Sequence, residues 1–345
     1  MRRLALLWSL ALGLSACGGE EAQSSGTEPG CSSAPQCGSC ETCYETCVCN
    51  GNSTATCVSE CSTASGGAGG SGGSPSGGAG GAPPATQTVT IETSPRSIGP
   101  GEEAFFCQTF ANPFGGSVDV LQSESFMTPG SHHMFVFYEE GATDGSVHDC
   151  SGLEYKRTLH TAQTPQLLTK YPPGVGRHVE PSFGLKVMAH YLNTGKAAID
   201  AKITVVFQVA PAGSVGQQAA ALFYNNMNIA LPPMAPGTAQ ATCTLPYDVK
   251  IIDVVSHMHK WGVKFEAKTE TGVVVYQGAD WNEPKPTLYD PPLELPKGTQ
   301  ITYTCSYQNT TTSTLTFGES AGANEMCILS GTYFPAPNGK SIICM

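Results

Sequence analysis

From Val89 to Met345 no segment sustains a 3.6-residue apolar stripe for three turns, which leaves β-structure as the way this chain buries a core. The apolar runs are short and bounded by Gly, Pro, Asn and Asp. They are Val89-Thr90-Ile91, Met134 to Tyr138, Leu185 to Tyr191, Ile203 to Val209, Ile251 to Val255, Val273 to Tyr276 and Ile301 to Tyr303. Several alternate at period two and are rich in Val, Ile, Thr and aromatics, as strands require. The region spans about 255 residues, more than a single sandwich holds. A break rich in small and polar residues, Pro211-Ala212-Gly213-Ser214-Val215-Gly216-Gln217-Gln218, falls near its middle. The prediction is an all-β fold of two consecutive antiparallel, jelly-roll-like β-sandwich domains, residues 89–211 and 216–345.

The N-terminal part has a different character. Met1-Arg2-Arg3 is a short basic region, Leu4 to Leu14 is apolar, and Leu14-Ser15-Ala16-Cys17 follows. This reads as a secretory signal over residues 1–16, too short to span a bilayer. A cysteine after small residues resembles a bacterial lipobox, with Cys17 lipidated and residues 17–30 a tether. The alternative is an ordinary signal peptide with a chance cysteine. The expectation is an exported bacterial lipoprotein, in the cell envelope (outer membrane or cell surface) or extracellular, touching the membrane only through Cys17.

Of the 15 cysteines, Cys17 set aside leaves an even 14. Eight crowd between Cys31 and Cys61, and six are spread over the rest. In an exported chain, even counts read as disulfides. Cys37-Gly38-Ser39-Cys40 and Cys40-Glu41-Thr42-Cys43 could pass for zinc or redox motifs, yet no histidine lies near them. A segment of about 30 residues needs staples to hold a core, so residues 31–61 are expected to form a small disulfide module of undetermined connectivity. Residues 62–88, rich in Gly, Ser and Pro, form a spacer with too little apolar side chain to bury. A net charge of −11 argues against nucleic acid or anionic lipid surfaces as partners.

Histidines supply the candidate chemistry. In Ile251 to His259, alternation puts His257 and His259 on one face, with Cβ atoms ~6–7 Å apart and Met258 turned away. Two imidazoles so spaced can share a metal, but a surface pair beside Lys260-Trp261-Gly262 fits the spacing equally well. His132 and His133 are adjacent, so both reach one metal only at a strand end or bulge, for which Thr128-Pro129-Gly130 is a suitable entry. Taken alone, the pair reads more simply as one packed and one exposed histidine. On the His190 strand, Leu185, Val187 and Ala189 share one face and Lys186, Met188 and His190 the other. A lone strand histidine is usually no ligand. Met326 alone reads as core.

Their order carries more than any one of them. His132-His133, His190-Tyr191, His257-Met258-His259-Lys260-Trp261-Gly262 and Glu325-Met326-Cys327 follow one another, with Tyr171-Pro172-Pro173-Gly174-Val175-Gly176 before the His-Tyr strand. This series resembles the copper type II, ascorbate-dependent monooxygenases, the family of peptidylglycine α-hydroxylating and dopamine β-monooxygenases. The likeness covers Val89 to Met345.

The resemblance implies two copper ions, one per sandwich, facing each other across an open, solvent-filled cleft and not bridged. His132, His133 and His190 would hold the copper that stores and delivers an electron. His257, His259 and Met326 would hold the copper where dioxygen is activated and a C–H bond hydroxylated, with the thioether favouring Cu(I). Two electrons per turnover come from ascorbate or another one-electron reductant. The same pattern implies disulfides Cys107–Cys150, Cys243–Cys344 and Cys305–Cys327. Where the peptide-hydroxylating members grip a peptide carboxylate, this chain has Val255, Ile328 and Ser330, and Met188 replaces a glutamine. The expectation is therefore a monomeric two-copper monooxygenase acting with O2 on a small, non-peptide substrate. A copper-binding or copper-buffering surface lipoprotein without turnover is the alternative, and a purely structural cell-surface sandwich a third.

Overall fold

The computed structural model describes residues 44, 47–48, 52, 54–61, 85–152 and 157–345. Residues 1–43, with the proposed signal, the tether and Cys17, lie outside them, as does the spacer up to residue 84. Alternating apolar strands pair into four main sheets that pack as two sandwiches. In the first sandwich, one sheet orders the strands Gln87–Glu92, Ile203–Pro211, Val118–Met127, Val175–Val179 and Gln217–Gln218, with Gln166–Lys170 also pairing to Val118–Met127. The facing sheet orders His148–Asp149, Glu103–Phe110, Phe183–Leu192, Ser131–Glu140 and Thr158–Ala162. Ile91, Val120, Val205 and Phe207 from one sheet and Phe106, Val136, Leu185 and Val187 from the other form a single buried cluster.

The second sandwich is built alike. One sheet runs Thr287–Leu295, Val249–His257, Ile328–Phe334, Ala220–Asn225 and Ile342–Cys344, and the other Ala235–Thr244, Gln300–Asn309, Gly262–Thr269 and Val274–Gly278. Leu222, Ile251, Val254 and Tyr333 meet Phe265, Ala267, Tyr303 and Tyr307 between them. Among the described strands the pairing is antiparallel apart from two short parallel contacts, Gln217 and Gln218 on Val175 and Gly176, and Leu222 to Tyr224 on Ile342 to Cys344; an isolated bridge, Phe317 to Glu325, is parallel as well. Two boundaries differ from those read in the sequence. The first strand begins at Gln87 rather than Val89, and Gln217–Gln218, assigned from sequence to the second sandwich, pairs with the first.

All three disulfides implied by the resemblance are present: Cys107–Cys150, Cys243–Cys344 and Cys305–Cys327. Each stabilises its sandwich by ~2–4 kcal/mol. In the cysteine-rich segment Cys47 bonds Cys57, and Cys61 is disulfide-bonded as well. Tyr44 there is buried against Phe126 and clusters with Val206 on the outer face of the first sandwich. No helix among the described residues is long and apolar enough to cross a membrane.

Candidate metal centre

His132 and His133 open the Ser131–Glu140 strand, which pairs with Phe183–Leu192. His190 sits opposite His133 and Tyr191 opposite Ser131, so His132 is the extra residue of a β-bulge. A bulge breaks the strict alternation of faces. Both histidines thereby turn to the same side as His190, and the three rings lie with centroids 4.9–5.2 Å apart. Along the His190 strand the predicted alternation holds. Leu185, Val187 and Ala189 enter the sandwich core, while Met188 packs with Cys107, Phe135 and Phe137 on the other face.

In the second sandwich, His257 ends the Val249–His257 strand and His259 follows just beyond it, the two rings 5.2 Å apart and perpendicular. Met258 points the opposite way into the core. A turn closes after them, the Gly262 N–H donating to the His259 carbonyl at 2.9 Å. A Cβ at Gly262 would stand 2.8 Å from Met258 Cβ and 2.9 Å from its sulfur, which is why glycine completes this motif.

The sandwiches bring both sets into one buried cluster. His132 lies 4.7 Å from His257 and 5.4 Å from His259, and His133 lies 5.0 Å from His257, ring centre to ring centre. Ligand nitrogens of His132, His257 and His259 fall within 4.8 Å of one another, and so do those of His132, His133 and His190. This corrects the expectation of an open, solvent-filled cleft: all five histidines are at most 5% exposed, and their rings meet across the interface.

Hydrogen bonds fix which nitrogens face inward. The Nδ1–H of His257 donates to Gln163 Oε1 at 2.7 Å, and that of His259 to the Asn324 carbonyl at 2.9 Å. His190 donates Nε2–H to Glu103 Oε1 at 2.8 Å, leaving its Nδ1 3.3 Å from His133 Nε2. Carbonyl and carboxylate oxygens cannot donate, so these partners set the tautomers. Two nitrogens on one tetrahedral metal, with bonds of about 2.0–2.1 Å, stand roughly 3.3 Å apart, which matches the His133–His190 pair. Five ring nitrogens are buried without any partner: both of His132, Nδ1 of His133, and Nε2 of His257 and His259. Unsatisfied buried polar atoms are costly, and a metal ion is the group that satisfies several converging lone pairs at once. The residues present fit a metal of imidazole preference.

Electrostatics keeps these imidazoles neutral. Burial, then the neighbouring imidazoles, hold His132, His133 and His257 well below the ordinary imidazole range. Burial brings His259 down to about 4, against the pull of the Asn324 carbonyl. His190 is also lowered by burial, opposed by Glu103.

Two supporting residues, Phe105 and Glu103, lie in no motif of the sequence, whereas Glu325 belongs to the Glu325-Met326-Cys327 segment. Phe105 stacks on His190 at 3.8 Å. Glu103 is shielded from water, which raises its carboxyl, but hydrogen bonds from His190, Ser320 and Ala321 outweigh this and hold it at about 2. Glu325 is pushed up to about 7 by burial, although it accepts the backbone N–H groups of His259, Trp261 and Met326. That carboxyl ties the His257–Gly262 turn to the Met326 segment. Met326 itself is buried with Phe223 and Ile328, and the Cys305–Cys327 disulfide anchors the next residue. Phe223, Ile328, Ser330, Phe135 and Gln163 line a small cavity shared by His133 and His257, with room of about 10 Å³. That is space for about one water at most.

No family model matches the chain, and no curated protein does. Among solved structures, the STIV MCP aligns over 72% of this chain and 97% of its own at 8% identity, with a TM-score of 0.35. PNGF-II aligns over 71% of this chain and 65% of its own at 10% identity and a TM-score of 0.27. Likenesses this distant carry no argument about the site.

Proposed function

We propose that this chain is an exported two-copper monooxygenase that hydroxylates a C–H bond of a small, non-peptide substrate with O2 and an external one-electron reductant such as ascorbate. The observation that carries this reading is the buried cluster of five histidines, with five ring nitrogens unpartnered and neutral. The ordered resemblance of its motifs to the copper type II monooxygenases names the metal, and a thioether beside the imidazoles suits copper that must reach Cu(I). In this reading His132, His133 and His190 hold one ion, and His257 and His259, with Met326, the other. Bound copper supplies one-electron chemistry and dioxygen activation.

The chain's own groups orient and shield that chemistry. Glu103, Gln163 and the Asn324 carbonyl fix the rings of His190, His257 and His259. Phe135, Phe223 and Ile328 exclude water from the space beside His257 and give it an apolar wall. The Gln163–His257 and Glu103–Ala321 hydrogen bonds close the seam of the sandwiches beside that space. Cys17 would anchor the enzyme at the cell envelope.

Oxygen uptake by the copper-loaded protein with ascorbate separates turnover from storage. Uptake that requires both copper and reductant, and falls at least tenfold in His259→Ala, is expected. Copper bound tightly with no uptake above free copper would identify a buffering protein instead.

A further inference from the structure

We propose that a second cavity at the seam of the sandwiches, away from the histidines, binds a small oxyanion, a phosphate or a carboxylate, between Arg157 and Arg177. The cavity has a volume of about 320 Å³. Tyr138, Arg157 and Arg177 of the first sandwich line it, with Gln218 where the chain crosses and Asn338 and Ser341 of the second. Tyr138 lies five residues beyond His133 on the Ser131–Glu140 strand, ~17 Å at the usual rise per residue, so this space is separate from the metal centre.

Charge carries the inference. Arginine is almost never buried without an anionic partner, because an unpaired charge loses its hydration. Arg177 is 5% exposed. It donates to the Thr158 carbonyl and to the hydroxyls of Tyr138 and Tyr171, all neutral oxygens, and its Nε has no partner. Asp253 of the second sandwich feels its charge but bonds Thr332 and makes no ion pair with it. Of the three arginines among the described residues, Arg96 pairs with Asp149. The other two line this one cavity, in ion-pair contact with no carboxylate among the described residues. Arg157 is exposed, its guanidinium 6.0 Å from the centre of the Phe183 ring. One guanidinium is thus held by the fold and the other is open to solvent.

Glu180 is the one acidic group of the lining and lies 3.4 Å from His178 Nε2, which leaves the two guanidiniums in excess. In a chain of net charge −11 this is a local reversal of sign. The planar fork of a guanidinium matches two oxygens of a phosphate or carboxylate. The volume, at the lower end for small-molecule sites, suits such an ion.

The test is a calorimetric titration of the full chain, without copper, with inorganic phosphate and separately with succinate at constant ionic strength. One ion bound saturably per chain is expected. It should bind at least tenfold more weakly in Arg157→Gln and more tightly in Glu180→Gln, both changes of exposed side chains. Which probe binds distinguishes a phosphate from a carboxylate. Should Arg157→Gln not fold, Glu180→Gln decides. No saturable binding of either probe, or binding that neither substitution alters, would overturn the site. Copper plays no part in the titration, so its outcome is distinct from that of the copper reading.

Discussion

At Gln163 a single amide does two jobs: Oε1 accepts from His257 Nδ1, and Nε2 donates to the Ser256 carbonyl. Losing such an anchor leaves a ligand ring free to rotate and typically costs 10–100-fold in metal affinity. Gln163→Leu should therefore weaken one of the two coppers about that much in competition with a chelator of known affinity, while the other holds. Equal affinity at both sites would remove the role assigned to Gln163. A histidine outside the cluster gives a pH signature. His160 is buried, bonded to Ser125 Oγ at 2.9 Å, and burial followed by the Arg177 charge brings it down to about 3. Between there and the ordinary value near 6.5, the unfolded chain takes up a proton that the folded chain refuses. Its stabilisation is present above about pH 6.5 and is lost as pH falls towards 3, by at most ~1.4 kcal/mol per unit. Asp253, pushed up to about 6 by burial, works oppositely, since its ionisation penalises the folded state as pH rises from about 4 to 6. Comparing urea midpoints of metal-free wild type and His160→Asn across about pH 4–7 cancels Asp253. The variant should lose stability less steeply on acidification; parallel curves would contradict the assignment.

Strands and their faces were legible in the sequence because alternation is a local property. Met258 turned away from His257, and Leu185, Val187 and Ala189 turned into the core, as the period of two demands. The bulge at His132 was legible only as a condition, since adjacent histidines need one to act together and its position depends on the partner strand. Glu103 and Gln163 could not be found this way. Each meets residues far along the chain, Ser320 and Ala321 for Glu103 and Ser256 and His257 for Gln163, and no local pattern encodes such a contact. Glu325 was written beside Met326, but its use as acceptor for the His259 and Trp261 N–H groups depends on the turn folding back.

Across the two sandwiches, the same contacts that orient the histidine rings also link one sandwich to the other. Gln163 reaches from the first sandwich to His257 of the second, and Glu103 holds His190 while binding Ser320 and Ala321 across the interface. The open cleft implied by resemblance is replaced here by a closed centre in which His132 meets the rings of both halves. The geometry of the five histidines and the closure of the sandwiches are thus linked. The central claim is that these histidines, with Met326, form two copper sites. Copper bound per chain, counted after loading and removal of excess for the wild type, His133→Ala and Met326→Ala, tests it most directly. The account predicts two coppers in the wild type, with a different one weakened in each variant; a single copper, or indifference to both substitutions, would contradict it.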